Sequence, residues 1–371
     1  MGKGIGFDES RTPMLEISVG GRLHYLDNMR AMAFSMMLLF HALKLFTPEG
    51  WGIHLTPLSG SQLGAEIISS WRLPLLFFIS GAAFSLSIKR QNIFIRTAKK
   101  LLPMLIIGTP ILVATANYMH ERYTNPDAVL WTYFTNYFEN VLKGQLSWYH
   151  LWYLGYILFF VTVHQLAYDL IKKTSLMLAP KYFAYIFVLL IIISFINEAM
   201  LRSYFPVKRN FFSDIASLIS FACYYMVGII VIQRRDFLTR NAALAWPLSV
   251  LALMAMVVHF ALSPLPLPIT KTIIAWTVIF GLDGLFYRFV NVKLALTTVL
   301  HNKLMDIYVI HQLTLLTAAF ITAQFTDGFL KICAIFIIGF ALAYLAGLAK
   351  SYVKGLFKRG LHLLRRGMGA N

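Results

Sequence analysis

The chain has 371 residues, 58% of them hydrophobic and only 13% charged, with a mean hydropathy of +0.67. Soluble domains carry about 25% charged residues, so this balance excludes an ordinary soluble protein, and apolar runs that are continuous rather than alternating disfavour a transmembrane barrel. The formal charge of +17 would suit a nucleic-acid binder, but along the chain it follows membrane topology instead.

The spacing predicts an all-α polytopic membrane protein of about ten helical spans. A polar leader (residues 1–21) precedes span 1, from about Met29 to Phe46. That run is no cleaved signal peptide, because it starts late and no small-residue cleavage site follows it. Span 2 covers Leu63 to Ile88 and carries Pro74, so a bend is expected. Lys89 to Lys100 reads as a basic connector, and span 3 as Leu101 to Tyr118. The aromatic connector Met119–Tyr149 reads as a segment lying at the membrane interface. Spans 4 to 7 follow over His150–Ile171, Tyr182–Met200, Asp214–Ile232 and Ala242–Leu262. The run Ser263-Pro-Leu-Pro-Leu-Pro268 breaks the chain before span 8 (Ile269–Tyr287), span 9 (Lys303–Ala323) and span 10 (Phe329–Ala349). Residues 350–371 form a basic tail, and residues 22–349 a single membrane domain.

Ten spans put both termini on one side. That side holds 24 of the 33 Lys and Arg residues. The bias makes both termini cytoplasmic. The external loop with Arg202, Lys208 and Arg209 runs against it. Cys223 and Cys333 both fall inside apolar runs and read as small buried thiols, not as a disulfide or metal pair. No nucleophile elbow, Walker loop, HExxH or cysteine–histidine cluster occurs, so metal, ATP and serine-hydrolase chemistry lack support. No Gly/Pro-broken pair of spans marks a transporter repeat.

Ionisable groups inside spans are costly and point to a protein interior or a wet cavity. Arg30 and His41 are eleven residues apart, which on a helix puts them within roughly 20° of one face and about 16 Å apart. Arg30 reads either as a snorkelling interface cation, with Asp27 at i−3, or as a cavity wall. His41 reads either as a structural histidine or as the working group of a site. Arg72 reads as an anchor or as a cavity cation paired with Glu66. Arg96, Lys99 and Lys100 suit lipid contact or an anionic cytoplasmic ligand. Ser80-Gly81 permits close helix packing. His150 heads an aromatic stretch containing Trp152. Tyr308 and His311 share one face of span 9.

These pieces resemble the acyltransferase-3 family of integral membrane acyltransferases. The resemblance rests on Leu26-Asp-Asn-Met-Arg30 followed after ten residues by His41, and on Arg72 before Pro74-Leu-Leu-Phe-Phe-Ile-Ser-Gly81. It extends through Arg96–Pro103, His150-Leu-Trp-Tyr-Leu154 and Ile307-Tyr-Val-Ile-His311, in order across nearly the whole chain. Lys99 stands where the family commonly has arginine. The resemblance implies a bacterial inner-membrane O-acyltransferase. Acyl-CoA, best read as succinyl-CoA, would arrive from the cytoplasm, and the acceptor would be a hydroxyl of a periplasmic glucan or other glycan. It implies His41 as the base, Arg30 on a CoA phosphate or the thioester carbonyl, and Tyr308 and His311 lining the cavity or orienting the acyl group, with His311 counted as catalytic beside His41 and Arg30. Arg72, Arg96, Lys99, Lys100, His150, Trp152 and Ser80 would bind substrate. No metal, resident cofactor or nucleic acid is implied; the bilayer is a partner, and a homo-oligomer is compatible. The rival class is a secondary transporter or flippase for an anionic solute, using the same cations.

Overall fold

A computed structural model describes residues 23–51, 53, 55–87, 93–168, 170, 182–208, 213–261, 267–325 and 328–368. The expected leader, the ends of spans 2, 4 and 7 and most of the Ser263–Pro268 break lie outside them, as does Arg209. The described residues contain helices and no strand, with a single bridge between Trp51 and Ile53.

The first half of the chain holds α1 (His24–Lys44), α2 (Ser61–Ser87), α3 (Ile93–Pro103), α4 (Thr109–Thr124), α5 (Leu130–Leu142) and α6 (Trp152–Leu166). The second half holds α7 (Phe183–Ile196), α8 (Ile215–Gln233), α9 (Arg235–Ala243), α10 (Ala245–Ala261), α11 (Leu267–Phe289), α12 (Ala295–Leu300), α13 (Leu304–Ile321) and α14 (Phe329–Met368). Six stretches are long and apolar enough to cross a membrane: Ser61–Leu86, Phe94–Thr124, Ile215–Gln233, Thr270–Phe289, Leu304–Ile321 and Phe329–Leu356. The helices Asp236–Ala243 and Ala245–Ala261, bent by 61°, make a seventh if taken as one. A helix lies within each of the ten expected stretches, but six or seven of them are long and apolar enough to cross a membrane. α1 is not among these; its 21 residues include His24, Asp27, Asn28, Arg30, His41 and Lys44.

Two elements differ from expectation. The basic connector is already helical from Ile93, and the helix runs on through a π turn at Met104–Gly108 into α4. Pro103 supplies no amide hydrogen, and the backbone widens just after it to take up the mismatch. The interfacial connector contains α5, which packs against α4.

α1 has no side-chain cap of its own: Leu23 stands at its N-cap. One of its orphan amides is served from afar. The Tyr25 N–H donates to Asn291 Oδ1 at 3.1 Å, while Asn28 Nδ2 donates to the Val290 and Val292 carbonyls at 2.6 and 2.9 Å. These bonds tie the start of α1 to the segment after α11 and fix its rotation. α2 is held by α8 through two glycines. A Cβ on Gly81 would run into the Tyr225 carbonyl oxygen, and one on Gly228 into that of Phe78. This contact is what Ser80-Gly81 provides for.

Arg202, the cation that strained the charge rule, is clamped rather than loose. It pairs with Glu198 at 2.8 Å and Asp214 at 3.0 Å and donates to Ser217 Oγ at 3.0 Å. Asp214 also caps α8 by accepting from the Ser217 N–H.

Candidate active site

One stripe of α1 organises the site. Arg30, Phe34, Met37, His41 and Lys44 recur at helical spacing and line two cavities in succession. The first, of about 340 Å³, includes Arg30 and Phe34; the second, of about 250 Å³, includes Met37, His41 and Lys44. Leu76 of α2 and Tyr153 of α6 line both and form the wall between them. The Tyr153 hydroxyl shares a 2.7 Å hydrogen bond with Ser80 Oγ, and Ser80 in turn donates to the Leu76 carbonyl at 2.8 Å. The dividing wall is thus pinned by two hydroxyls.

The first cavity is basic. Arg30, Arg96, Lys100 and His301 line it, and Asp27 meets His301 Nδ1 at 3.0 Å. The helical start of α3 explains which connector cations take part. Arg96, Thr97, Lys100 and Leu101 fall on one side of a helix, and all four line the cavity. Lys99 projects more than about 100° away from their mean direction. It is exposed and lines neither cavity, so the structure does not bring it to the site.

The second cavity holds three imidazoles. His41 and His311 have ring centroids 5.2 Å apart, and His311 and His150 4.9 Å. His150 Nε2 lies 2.7 Å from the Val309 carbonyl oxygen and His311 Nδ1 2.6 Å from that of Tyr308. A carbonyl only accepts, so in the neutral rings these nitrogens carry the protons. The other nitrogens, His150 Nδ1 and His311 Nε2, are buried with no hydrogen-bond partner among the described residues. Tyr308 locks the arrangement by donating its hydroxyl to the His150 carbonyl. His41 differs from both. It is half-buried, and the Gln312 amide nitrogen approaches its Nε2 at 3.2 Å. Among the described residues no group of three or more His, Cys, Asp or Glu is placed to hold a metal ion.

Arg72 is buried and lines the same cavity, its guanidinium 3.5 Å above the Phe40 ring. The pairing with Glu66 considered above is replaced by this cation–π contact. Six residues along α2 point the two side chains to different sides, and exposed Glu66 instead accepts from Gln62. Trp152 lines the second cavity and Ser80 the first. Every other candidate named above, Lys99 aside, therefore meets one of two adjoining chambers.

Sequence reasoning missed several members. Gln312, Tyr153 and Tyr149 were legible in principle, since each adjoins a candidate in sequence. Trp51 was not. It comes from a loop with no periodicity, yet it lies 5.0 Å from His41 and 6.1 Å from Tyr149, ring centre to ring centre. Tyr149 is the one described non-glycine residue with positive φ, at 50°. Such left-handed conformations cost about 1–3 kcal/mol and persist where surrounding structure enforces them. Burial raises the Tyr149 phenol above its ordinary range, which keeps it a neutral donor.

A family model described as an acyltransferase domain matches residues 23–348. No curated protein and no solved structure matches the chain. The matched segment spans all four helices, α1, α2, α6 and α13, that line both chambers.

Proposed function

We propose, from the premise that this chain belongs to the acyltransferase-3 family, that it moves an acyl group from acyl-CoA in the basic chamber to a hydroxyl in the histidine chamber. The observation that carries this reading is the pair of adjoining cavities separated by Leu76 and Tyr153, one lined by Arg30, Arg96 and Lys100 and the other by three histidines. A CoA thioester is polyanionic and has a long, thin pantetheine arm. Arg30, Arg96 and Lys100 suit its phosphates, and the arm can lie along the α1 stripe toward His41.

The spacing divides the labour. Arg30 sits about 16 Å along α1 from His41, so it serves the CoA end and not the carbonyl under attack. His41, its ring held by Gln312, takes the proton of the acceptor hydroxyl. The hydroxyl oxygen attacks the thioester carbonyl carbon, the C–S bond breaks, and the proton leaves with the sulfur as free CoA thiol. Arg72 supplies positive charge beside the reacting group. His150, His311 and Tyr308 shape the chamber and orient the acyl group.

Finer assignments rest on chemistry and resemblance together. His150-Leu-Trp-Tyr-Leu154 and the run from Tyr308 through His311-Gln-Leu-Thr-Leu315 resemble those of glucans biosynthesis protein C, which points to succinyl transfer onto a periplasmic glucan. Arg72 and Lys44 beside the histidines suit a carboxylate-ended acyl group, and Trp51, Trp152 and Tyr149 offer faces for a sugar ring. The charge bias supports a cytoplasmic side for the basic chamber, and the resemblance supports a bacterial inner membrane. Purified protein given labelled succinyl-CoA or acetyl-CoA and a glucan should yield labelled glucan. A transporter would leave the label on CoA.

A further inference from the structure

A second cleft opens beside the histidine chamber and shares Tyr149 with it. It measures about 320 Å³ and lies between α4 and α5. That size falls within the range of small-molecule sites, about 300–1,000 Å³. Its walls are two facing helical stripes. α4 presents Asn117 and Glu121, at i and i+4, and α5 presents Asn136 and Asn140, again at i and i+4. Gln145, just beyond α5, closes one end.

This is an unusual face for two packed helices to offer each other. Antiparallel neighbours normally bury an apolar stripe between them. Here amides line the gap, while apolar Trp131, Phe138 and Leu142 of α5 are exposed on its outside. Asn117, Asn136, Asn140 and Gln145 are all exposed, and none has a side-chain hydrogen bond to a described residue. Each amide offers two donors and an acceptor. No Lys or Arg lines the cleft. Its ligand should therefore be neutral and dense in groups that both donate and accept, which describes the hydroxyls of a carbohydrate. The contrast with the arginine- and lysine-lined donor chamber is direct.

The route to the reacting group is short and aromatic. From the cleft the path runs over Tyr149 to Trp51, at 6.1 Å, and from Trp51 to His41, at 5.0 Å. We infer that the α4–α5 cleft is an acceptor subsite holding the sugar next to the one being acylated, so that the chain acts on oligosaccharides in preference to single sugars. This rests on the acyltransferase reading above. Tyr149, held in its left-handed conformation, is the hinge between the two sugar positions.

The test compares a panel of gluco-oligosaccharides of increasing length, from the monosaccharide upward, as acceptors for wild-type protein and the Asn136→Ala/Asn140→Ala variant. Direct binding of each oligosaccharide is followed in parallel by calorimetry without acyl-CoA. For wild type, kcat/KM should climb by about tenfold on adding the second and third sugar, the scale of a few solvent-exposed hydrogen bonds. In the variant that climb should disappear, and oligosaccharide binding should weaken by a similar factor with an unchanged melting temperature. Equal chain-length dependence in both proteins overturns the subsite. So does wild-type protein that binds no member of the panel. Binding that follows the predicted pattern without any transfer would uphold the cleft and sink the acyltransferase reading instead.

Discussion

His41 and Gln312 carry the sharpest claims at the scale of single residues. Replacing His41 with Ala or Gln removes the proposed base, so transfer should fall by about 10²–10⁴-fold while the protein still inserts and folds. Near-normal transfer by folded His41→Ala protein would falsify that role. Tyr153 makes a separate prediction, because with Leu76 it forms the wall between the two chambers. Tyr153→Ala should raise acceptor-independent hydrolysis of acyl-CoA several-fold, read as free thiol released in the absence of sugar. Tyr153→Phe keeps the ring and should leave that leak near wild type. The Arg30–His41 pair was readable from spacing alone, since eleven residues return a helix to nearly the same face. The α13 histidine was readable for the same reason. Trp51 was invisible, because a loop residue reaches the site through chain geometry that no periodicity encodes.

Between residues and the whole molecule, the elements decide which charges matter. Sequence patterning placed the start of the third span at Leu101, whereas the helix begins at Ile93 and turns Arg96 and Lys100 inward while Lys99 faces out. Helix boundaries set by proline and a π turn are hard to read from hydropathy, because cations at a helix start look like a connector. The consequence is measurable. Arg96→Ala and Lys100→Ala should each raise KM for acyl-CoA by about tenfold, with weaker salt dependence, while Lys99→Ala should change it little. Equal effects from all three would contradict the α3 geometry. The α2–α8 contact gives a stability prediction. Gly81→Ala or Gly228→Ala forces a methyl into the opposing backbone and should cost about 1–3 kcal/mol, seen as a lower melting temperature in detergent. Since α2 supplies Arg72, Leu76 and Ser80 to the two chambers, the same change should lower transfer even below the melting transition. Sequence did reveal Ser80-Gly81 as a packing point, but not its partner, because which helix meets it is a property of the tertiary fold.

For the molecule as a whole, the all-α class and the order of the helices were legible in composition and hydropathy alone. α1 is one of the four helices that line both chambers, and three of the charged or titratable residues that lower its hydropathy, Arg30, His41 and Lys44, face the site. The proposed orientation rests on ten spans with 24 of 33 cations on one side. On that proposal the basic chamber faces the cytoplasm, and the histidine chamber and α4–α5 cleft face the far side. A cysteine at Ser147 should therefore react with an impermeant maleimide in intact spheroplasts, and one at Tyr352 only after lysis; the reverse pattern would invert the topology. On the proposed function and orientation, the two chambers would form a path for an acyl group across the bilayer without passage of CoA. Proteoliposomes can test that directly, with the protein's basic face toward a compartment holding labelled acyl-CoA and a glucan on the other side only. The account predicts labelled glucan on the far side, free CoA on the near side and no CoA crossing. Label that stays on CoA, or intact acyl-CoA appearing with the glucan, would contradict it.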